Sequence, residues 1–427
     1  MSSRAGIVVT GTEVLTGRVT DRNGPWLAEQ LRVAGIDVTQ VVVVGDRPDD
    51  MHDALRFFRD ARVDLIITSG GLGPTDDDRT AEVVGGFQRR PLELDASLEQ
   101  RITAIIGRIR ANGAWRMDDT AAAAGTRKQA LVPRGADVLE PAGTAPGLVV
   151  PAPAGRPGPP VLVLPGPPRE VQAMWSAALD NPTVRTALAG AQELRQRTIL
   201  LWGTAESDLA ATLREHEQLQ VGLEITTCLR DGELEIVTRY APDAQDTYDA
   251  LHRVLVDTYA DTVYSPDGET VDEIVARRLL ERRLTVATAE SCTGGLLSGR
   301  LTDLAGSSAY VTGALTVYSN DAKHRLAGVP TELIERVGAV SAEVARALAD
   351  GARERVGTDV GVGITGIAGP GGGTPDKPVG LVYLCASDGA QVLERRIVSP
   401  GSRADVRRRS VTIAMHMLRE LLAQPPR

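Results

Sequence analysis

The sequence is poor in aromatic side chains, cysteine, histidine and long apolar runs, and each scarcity removes a class of explanation. Aromatic residues make up 3% of the 427 positions, so the cores must be built from Val, Leu, Ile and Ala. The three cysteines, Cys228, Cys292 and Cys385, have no metal-like spacing and cannot all pair, which fits a reducing cytoplasm. The five histidines, His52, His216, His252, His324 and His416, form no HxH or HExxH pattern, so a histidine-rich metal site is not expected. No apolar run approaches the ~20 residues that span a bilayer. Met1 leads straight into a strand-like segment at residues 5–10, with no charged-then-apolar leader. Net positive charge is missing too: at −9 the chain is a poor general binder of nucleic acid, whose phosphates need a positive face. A small anionic ligand remains allowed, because a local pocket can be positive on an acidic protein. These absences lead us to expect a cytoplasmic protein with neither membrane nor nucleic-acid partners.

What is abundant is glycine and proline, 44 and 25 residues, in a chain too long for one core. Residues 1–175 alternate strand and helix patterns: strands at 5–10, 37–44, 63–69 and 161–164, helices at 23–34, 48–61 and from 169. That rhythm predicts an α/β domain with a mostly parallel sheet, whose ligand groups gather at the carboxyl ends of the strands. Residues 176–264 differ. Strand patterns at 223–230 and 233–240 flank Asp231-Gly232, a strong hairpin signal. With helices at 205–216 and 245–259 they predict a small α+β module of KH-like topology. It lacks the GxxG loop that would clamp a nucleic-acid backbone, so a spacer or dimerisation role is expected. Residues 265–427 return to α/β, with strands at 284–289, 310–318, 360–365 and 380–386. Helices are expected at 271–282, at 343–356 behind a Ser341 cap, and at 403–422.

Three strand ends in this last segment carry polar or glycine-rich loops: Glu290-Ser-Cys-Thr-Gly-Gly295, Tyr318-Ser-Asn-Asp-Ala-Lys323 and Thr365-Gly-Ile-Ala-Gly-Pro-Gly-Gly-Gly373. Each alone could be a turn, and Ser291 or Thr293 could merely cap a helix; at one sheet edge they would make a pocket. Gly294 and Gly295 would let the backbone approach a ligand, and amides at the helix start could hold an anion or an oxyanion. A serine hydroxyl needs a base to take its proton. Lysine can be that base where burial or nearby cations lower its pKa.

The segments AESCTGG, GSSAYVTGALTVYSNDAKHRLAGV, VSAEVARALADGA, TGIAGPGGG and KPVGLVY resemble the CinA (competence-damage-inducible) family, whose C-terminal domain is a nicotinamide-nucleotide amidohydrolase. The resemblance implies Ser291 as nucleophile and Lys323 as its activator. It places Tyr318 and Asn320 of the YSNxAK motif, with Thr293, Gly294 and Gly295, at the substrate, and Thr365 and Gly366 beside the reacting amide. Arg403 and Arg407, one helical turn apart, match the family's paired arginines and would hold the phosphate of nicotinamide mononucleotide; a solvated helix face is the plain alternative. No cofactor is expected in this domain.

The N-terminal half has its own loops after strands: Gly11-Thr-Glu-Val-Leu-Thr-Gly17, Gly70-Gly-Leu-Gly-Pro-Thr-Asp-Asp-Asp-Arg-Thr80 and Leu164-Pro-Gly-Pro-Pro168. Glycines 11, 70, 71, 73 and 166, with Asn23 and Thr75, would admit phosphates. Glu13, Asp77 and Asp78 offer hard oxygen ligands for Mg2+ or a similar ion. GTEVLTGRVTDRN, GGLGPTDDDRT and LPGPPREV resemble the molybdopterin-binding-like domain of the same family, which implies metal-dependent cleavage of the diphosphate of ADP-ribose or a related dinucleotide, with Asp78 catalytic. A homodimer is expected. Two rival readings stay open: a molybdopterin-binding protein with an inactive C-terminal domain, and a non-enzymatic competence or recombination accessory.

Overall fold

The structure is a computed structural model that describes residues 2–111, 118–155 and 158–423. It divides into two compact units, Met1–Gln196 with Ala241–Asp243, and Arg197–Tyr240 with Ala244–Arg427.

The first unit is built on a six-stranded sheet in the order Asp37–Val44, Arg4–Thr10, Leu65–Ser69, Val161–Leu164, Gly147–Val150, Asp137–Leu139. The first four strands are mutually parallel, and Gly147–Val150 pairs antiparallel with both of its neighbours, Val161–Leu164 and Asp137–Leu139. Alternate residues of the central strands serve opposite layers, as the period-2 pleat requires. Ile7 and Ile67 pack with Leu27, Leu31 and Met174, while Val8 and Ile66 pack with Leu55, Phe58 and Val84. The unit runs past the expected boundary at 175. The helices Pro168–Asp180 and Pro182–Ala187 bury Met174, Trp175 and Val184 on this same sheet.

The second unit holds two sheets. The smaller has the order Leu223–Arg230, Glu233–Tyr240, Arg195–Trp202, Val263–Ser265. Its hairpin turns at Asp231 and Gly232, with φ of 52° and 95°, as the dipeptide predicts. This part is not a free-standing spacer but belongs to the same compact unit as the C-terminal domain. Trp202 stacks on His416 with centroids 3.9 Å apart, Glu233 meets His416 Nε2 at 3.0 Å, and Asp231 pairs with Arg408 at 2.8 Å.

The larger sheet has the order Val311–Thr316, Val286–Glu290, Val360–Gly366, Leu381–Ser387, Val392–Val398. The first three strands are parallel, and Leu381–Ser387 pairs antiparallel with both of its neighbours, Val360–Gly366 and Val392–Val398. The central strand alternates branched residues with glycine. Val360, Val362 and Ile364 face Val275, Leu279, Met415 and Leu418. On the other face a Cβ at Gly361 or Gly363 would lie 2.0 or 2.1 Å from the carbonyl oxygens of Ala349 or Ala345. Glycine there lets the helix Ala342–Val356 lie directly on the strand, and Ser341 caps that helix as expected.

Candidate functional site

The three parallel strands of the larger sheet end side by side, so the loops after Glu290, Thr316 and Gly366 meet at one edge. Lys323 sits in the short helix Asn320–Arg325, which Ser319 caps through the amide of Ala322. Its side chain is 2% exposed and reaches back under the sheet edge. Lys323 Nζ lies 3.1 Å from Ser291 Oγ, 3.0 Å from the carbonyl oxygen of Val317 and 3.4 Å from that of Tyr318. Two carbonyls can take the N–H bonds of a neutral amine, leaving its lone pair for the Ser291 hydroxyl. Burial pushes the Lys323 ammonium below the ordinary lysine range, with the neighbouring Cys292 opposing weakly. The pair is thus a hydroxyl held by a base whose neutral form the site favours.

The turn that presents Ser291 depends on Glu290. This carboxylate is fully buried. It accepts from the amides of Gly295 at 3.0 Å, Leu297 at 3.1 Å and Ser298 at 2.8 Å, and from the Thr288 hydroxyl at 3.2 Å. The start of the helix Leu296–Leu301 is therefore filled by the protein's own carboxylate and cannot serve an external anion, contrary to the role expected for those amides. Among the described residues the amides of Cys292 and Thr293 make no main-chain hydrogen bond, and they remain as donors for an oxyanion. Thr293 is fully buried, and its hydroxyl has no partner among the described residues. Gly294 and Gly295 have φ of 60° and 95°, which a side chain would resist.

The remaining C-terminal candidates surround this pair. Arg403 bridges two of the loops, with Nη1 2.9 Å from the carbonyl oxygen of Gly369 and Nη2 2.6 Å from the Tyr318 hydroxyl. Arg407 Nη2 donates to the Thr293 carbonyl at 2.9 Å, while its buried Nε has no partner among the described residues. Both arginines lie in the first two turns of the helix Arg403–Leu421, Arg403 exposed and Arg407 half-buried. Thr365 is buried, and its hydroxyl donates to the Ala339 carbonyl at 2.7 Å, tying the 339 loop to the strand end that Gly366 closes. Asn320 is exposed at the rim.

In the first unit the strands ending at Thr10, Ser69 and Leu164 are neighbours, so Gly11, Gly70, Gly71 and Gly166 come together. Asn23 is buried between them: its Nδ2 donates to Ser69 Oγ at 2.9 Å and the Gly166 carbonyl at 2.6 Å. It clamps two loops rather than facing a ligand. Gly70 and Gly71 have φ of 110° and 66°; a Cβ on them would strike Thr10 at 2.5 Å and Thr80 at 2.2 Å. A Cβ on Gly73 would lie 2.4 Å from Asp78 Oδ2.

The acidic residues are less open than expected. Asp78 Oδ2 accepts from the Thr75 amide at 3.0 Å and the Thr75 hydroxyl at 2.6 Å, and that hydroxyl also reaches Asp77. The Thr75 hydrogen bond holds the Asp77 carboxyl below its ordinary range. Glu13 is exposed, folded against Gly11. Among the described residues no three His, Cys, Asp or Glu side chains assemble for a metal ion, so Glu13, Asp77 and Asp78 are not gathered into a ligand set. A groove of about 1010 Å³ in this unit is lined by Arg62, Val63, Asp64, Pro159 and Pro160, at the amino ends of the strands and away from these loops.

The family model described as the CinA C-terminal domain matches residues 268–422, and the one described as a probable molybdopterin binding domain matches residues 6–186. A CinA-like protein of Mycobacterium marinum is 54% identical over 433 residues, covering 99% of this chain and 100% of that relative. The chain belongs to the CinA family. A second CinA-like protein, from Mycobacterium tuberculosis, is 52% identical over 434 residues, covering 100% of this chain and 99% of the relative. Among solved structures, the competence/damage inducible protein CihA from Agrobacterium tumefaciens is 42% identical with a TM-score of 0.34, covering 36% of this chain and 96% of that one.

In this CinA-family chain the residue that the sequence motif displayed but left without a role is Glu290. An acid directly before a serine and two helix-start glycines is the pattern of a carboxylate that folds back onto its own helix. Lys377 is the other omission: its Nζ donates to the carbonyls of Val337 and Val340 at 2.8 and 2.7 Å, pinning the long glycine loop. Among the described residues no helix is long and apolar enough to cross a membrane.

Proposed function

We propose that the C-terminal domain is a serine amidohydrolase that converts nicotinamide mononucleotide to nicotinate mononucleotide and ammonia. The observation that carries this reading is the buried Lys323 amine 3.1 Å from Ser291 Oγ. Neutral Lys323 takes the hydroxyl proton as Oγ attacks the carboxamide carbon. The oxyanion that forms faces the amides of Cys292 and Thr293, and stabilising it is worth about 3–4 kcal/mol per donor in comparable sites. The C–N bond breaks, and Lys323 returns its proton to the leaving ammonia. Water, deprotonated by the same amine, then cleaves the ester and restores Ser291. Arg403 and Arg407 supply fixed positive charge at the same edge, which suits a substrate phosphate. The choice of a nicotinamide nucleotide rests on the motif resemblance; the chemistry of a serine and a lysine on an amide rests on the geometry.

For the N-terminal domain we propose hydrolysis of the diphosphate of ADP-ribose or a related dinucleotide, held by the loops at Gly11, Gly70–Gly73 and Gly166. Support comes from the position of those loops together at the carboxyl ends of neighbouring parallel strands, where α/β sheets gather their ligands. One experiment tests both halves. The full chain is incubated separately with nicotinamide mononucleotide and with ADP-ribose, each with Mg2+ or with chelator, and the products are identified. Nicotinate mononucleotide and ammonia are expected in both metal conditions. A chain that consumes neither compound contradicts both assignments.

A further inference from the structure

The loop between the strands Val360–Gly366 and Leu381–Ser387 runs through Gly369, Gly371, Gly372 and Gly373, which impose no conformation of their own. Its neck is closed by the main chain. The amide of Ile367 donates to the Leu381 carbonyl and that of Gly380 to the Ile367 carbonyl, both at 2.8 Å. Beyond the neck the loop needs another anchor, and Lys377 supplies one.

Lys377 is half-buried, and its ammonium donates to the carbonyls of Val337 and Val340 at 2.8 and 2.7 Å. Val337 ends the helix Thr331–Val337, where carbonyls lack amide partners and favour a cation. Gly338 follows with φ of 79°, and a Cβ on it would lie 2.9 Å from Lys377 Nζ, so the residue after the helix leaves the ammonium its space. Thr365 holds the same segment from the strand end, through the Ala339 carbonyl. What Lys377 anchors leads directly to Arg403. Pro378 and Val379 come next in the chain, and the opposite limb of the loop lies on them. A Cβ on Gly369 would be 2.5 Å from Val379 Cγ1, and one on Gly373 would be 2.8 Å from the Val379 amide nitrogen. Gly369 in turn offers its carbonyl to Arg403 Nη1 at 2.9 Å. A guanidinium is a planar fork, so one firm acceptor sets the direction of its remaining N–H groups.

We propose that Lys377 is a positioning residue of the amidohydrolase site: it anchors the Pro378–Val379 limb, which seats Gly369, whose carbonyl aims Arg403 at the substrate phosphate. The proposal rests on the reading of this domain as a nicotinamide mononucleotide amidohydrolase, and Lys377 touches no substrate in it. Without the ammonium the limb is released, and Arg403 loses its fixed acceptor. The substrate must then order the arginine itself, a cost that falls on binding. The phosphate is remote from the C–N bond that breaks, so the loss belongs in KM rather than in kcat.

The test is a double-mutant cycle on the full chain. Ammonia release from nicotinamide mononucleotide is measured for the wild type, Lys377→Met, Arg403→Ala and the double variant, with circular dichroism to check each fold. Lys377→Gln is a second, milder variant that keeps an NH2 donor. The expected result is a KM raised roughly tenfold in Lys377→Met with kcat within about twofold, a smaller rise in Lys377→Gln, and no further rise when Lys377→Met is added to Arg403→Ala. An unchanged KM in Lys377→Met overturns the proposal, as does a fall in kcat alone, or an effect of Lys377→Met that is as large without Arg403 as with it. Loss of the fold in both Lys377 variants overturns it too, since the lysine would then be a structural prop. A wild type that releases no ammonia is a separate failure, which removes the amidohydrolase reading and the proposal with it.

Discussion

Lys323 and Ser291 are the clearest case of chemistry carried by two residues. Burial lowers the Lys323 pKa, so the free enzyme gains its base as pH rises through a value below the ordinary lysine range. kcat/KM should therefore climb with pH on its acid limb and level off before lysine would normally titrate. Lys323→Arg should remove that limb together with the activity, because arginine stays protonated and cannot accept the Ser291 proton. A Lys323→Arg protein with a wild-type pH–rate profile would assign the proton to another group. The pair was legible through the resemblance of the ESCTGG and YSNDAK motifs to the family; the residues alone said only that a serine in a glycine turn asks for a base. In the N-terminal loop a contact between near neighbours escaped the sequence reading. A run of Asp77 and Asp78 looks like a ligand set, but a threonine two or three residues earlier can claim both, and Thr75 does.

Among elements, the strand–turn–helix from Val286 to Leu301 matters most, and Glu290 is its keystone. One carboxylate satisfies three helix-start amides that would otherwise be buried without acceptors. Glu290→Gln would turn an NH2 group toward at least one of those amides, two donors face to face, at a cost of about 1–3 kcal/mol. Thermal unfolding should show that loss as a fall of roughly 2–4 °C per kcal/mol. kcat should fall as well, because Ser291 sits on the turn that Glu290 shapes. Unchanged stability and unchanged kcat would mean that the carboxylate holds nothing. The hairpin, the Val271–Arg282 helix and the Asp37–Val44 strand could be placed to the residue from sequence, since each has a turn dipeptide, a cap or an uninterrupted apolar run. The strand Val392–Val398 was not legible. It is an exposed edge of mixed polar and apolar residues, with no strong pattern to mark it.

For the whole molecule, the sequence divided the chain by texture, whereas the structure divides it by packing. The break expected at 265 disappears because Glu233 and His416, and Asp231 and Arg408, meet across some 180 positions of chain, a distance no local pattern reports. The two catalytic proposals lie in separate units, each with its own sheet and its own strand-end loops, so disabling one should leave the other working. The central claim is that the full chain releases ammonia from nicotinamide mononucleotide through Ser291. The most direct measurement is ammonia release by the wild-type chain and by Ser291→Ala, with circular dichroism to show that both are folded. A folded Ser291→Ala chain that releases no ammonia, beside a wild type that does, is the predicted result; ammonia released by Ser291→Ala at the wild-type rate would contradict it.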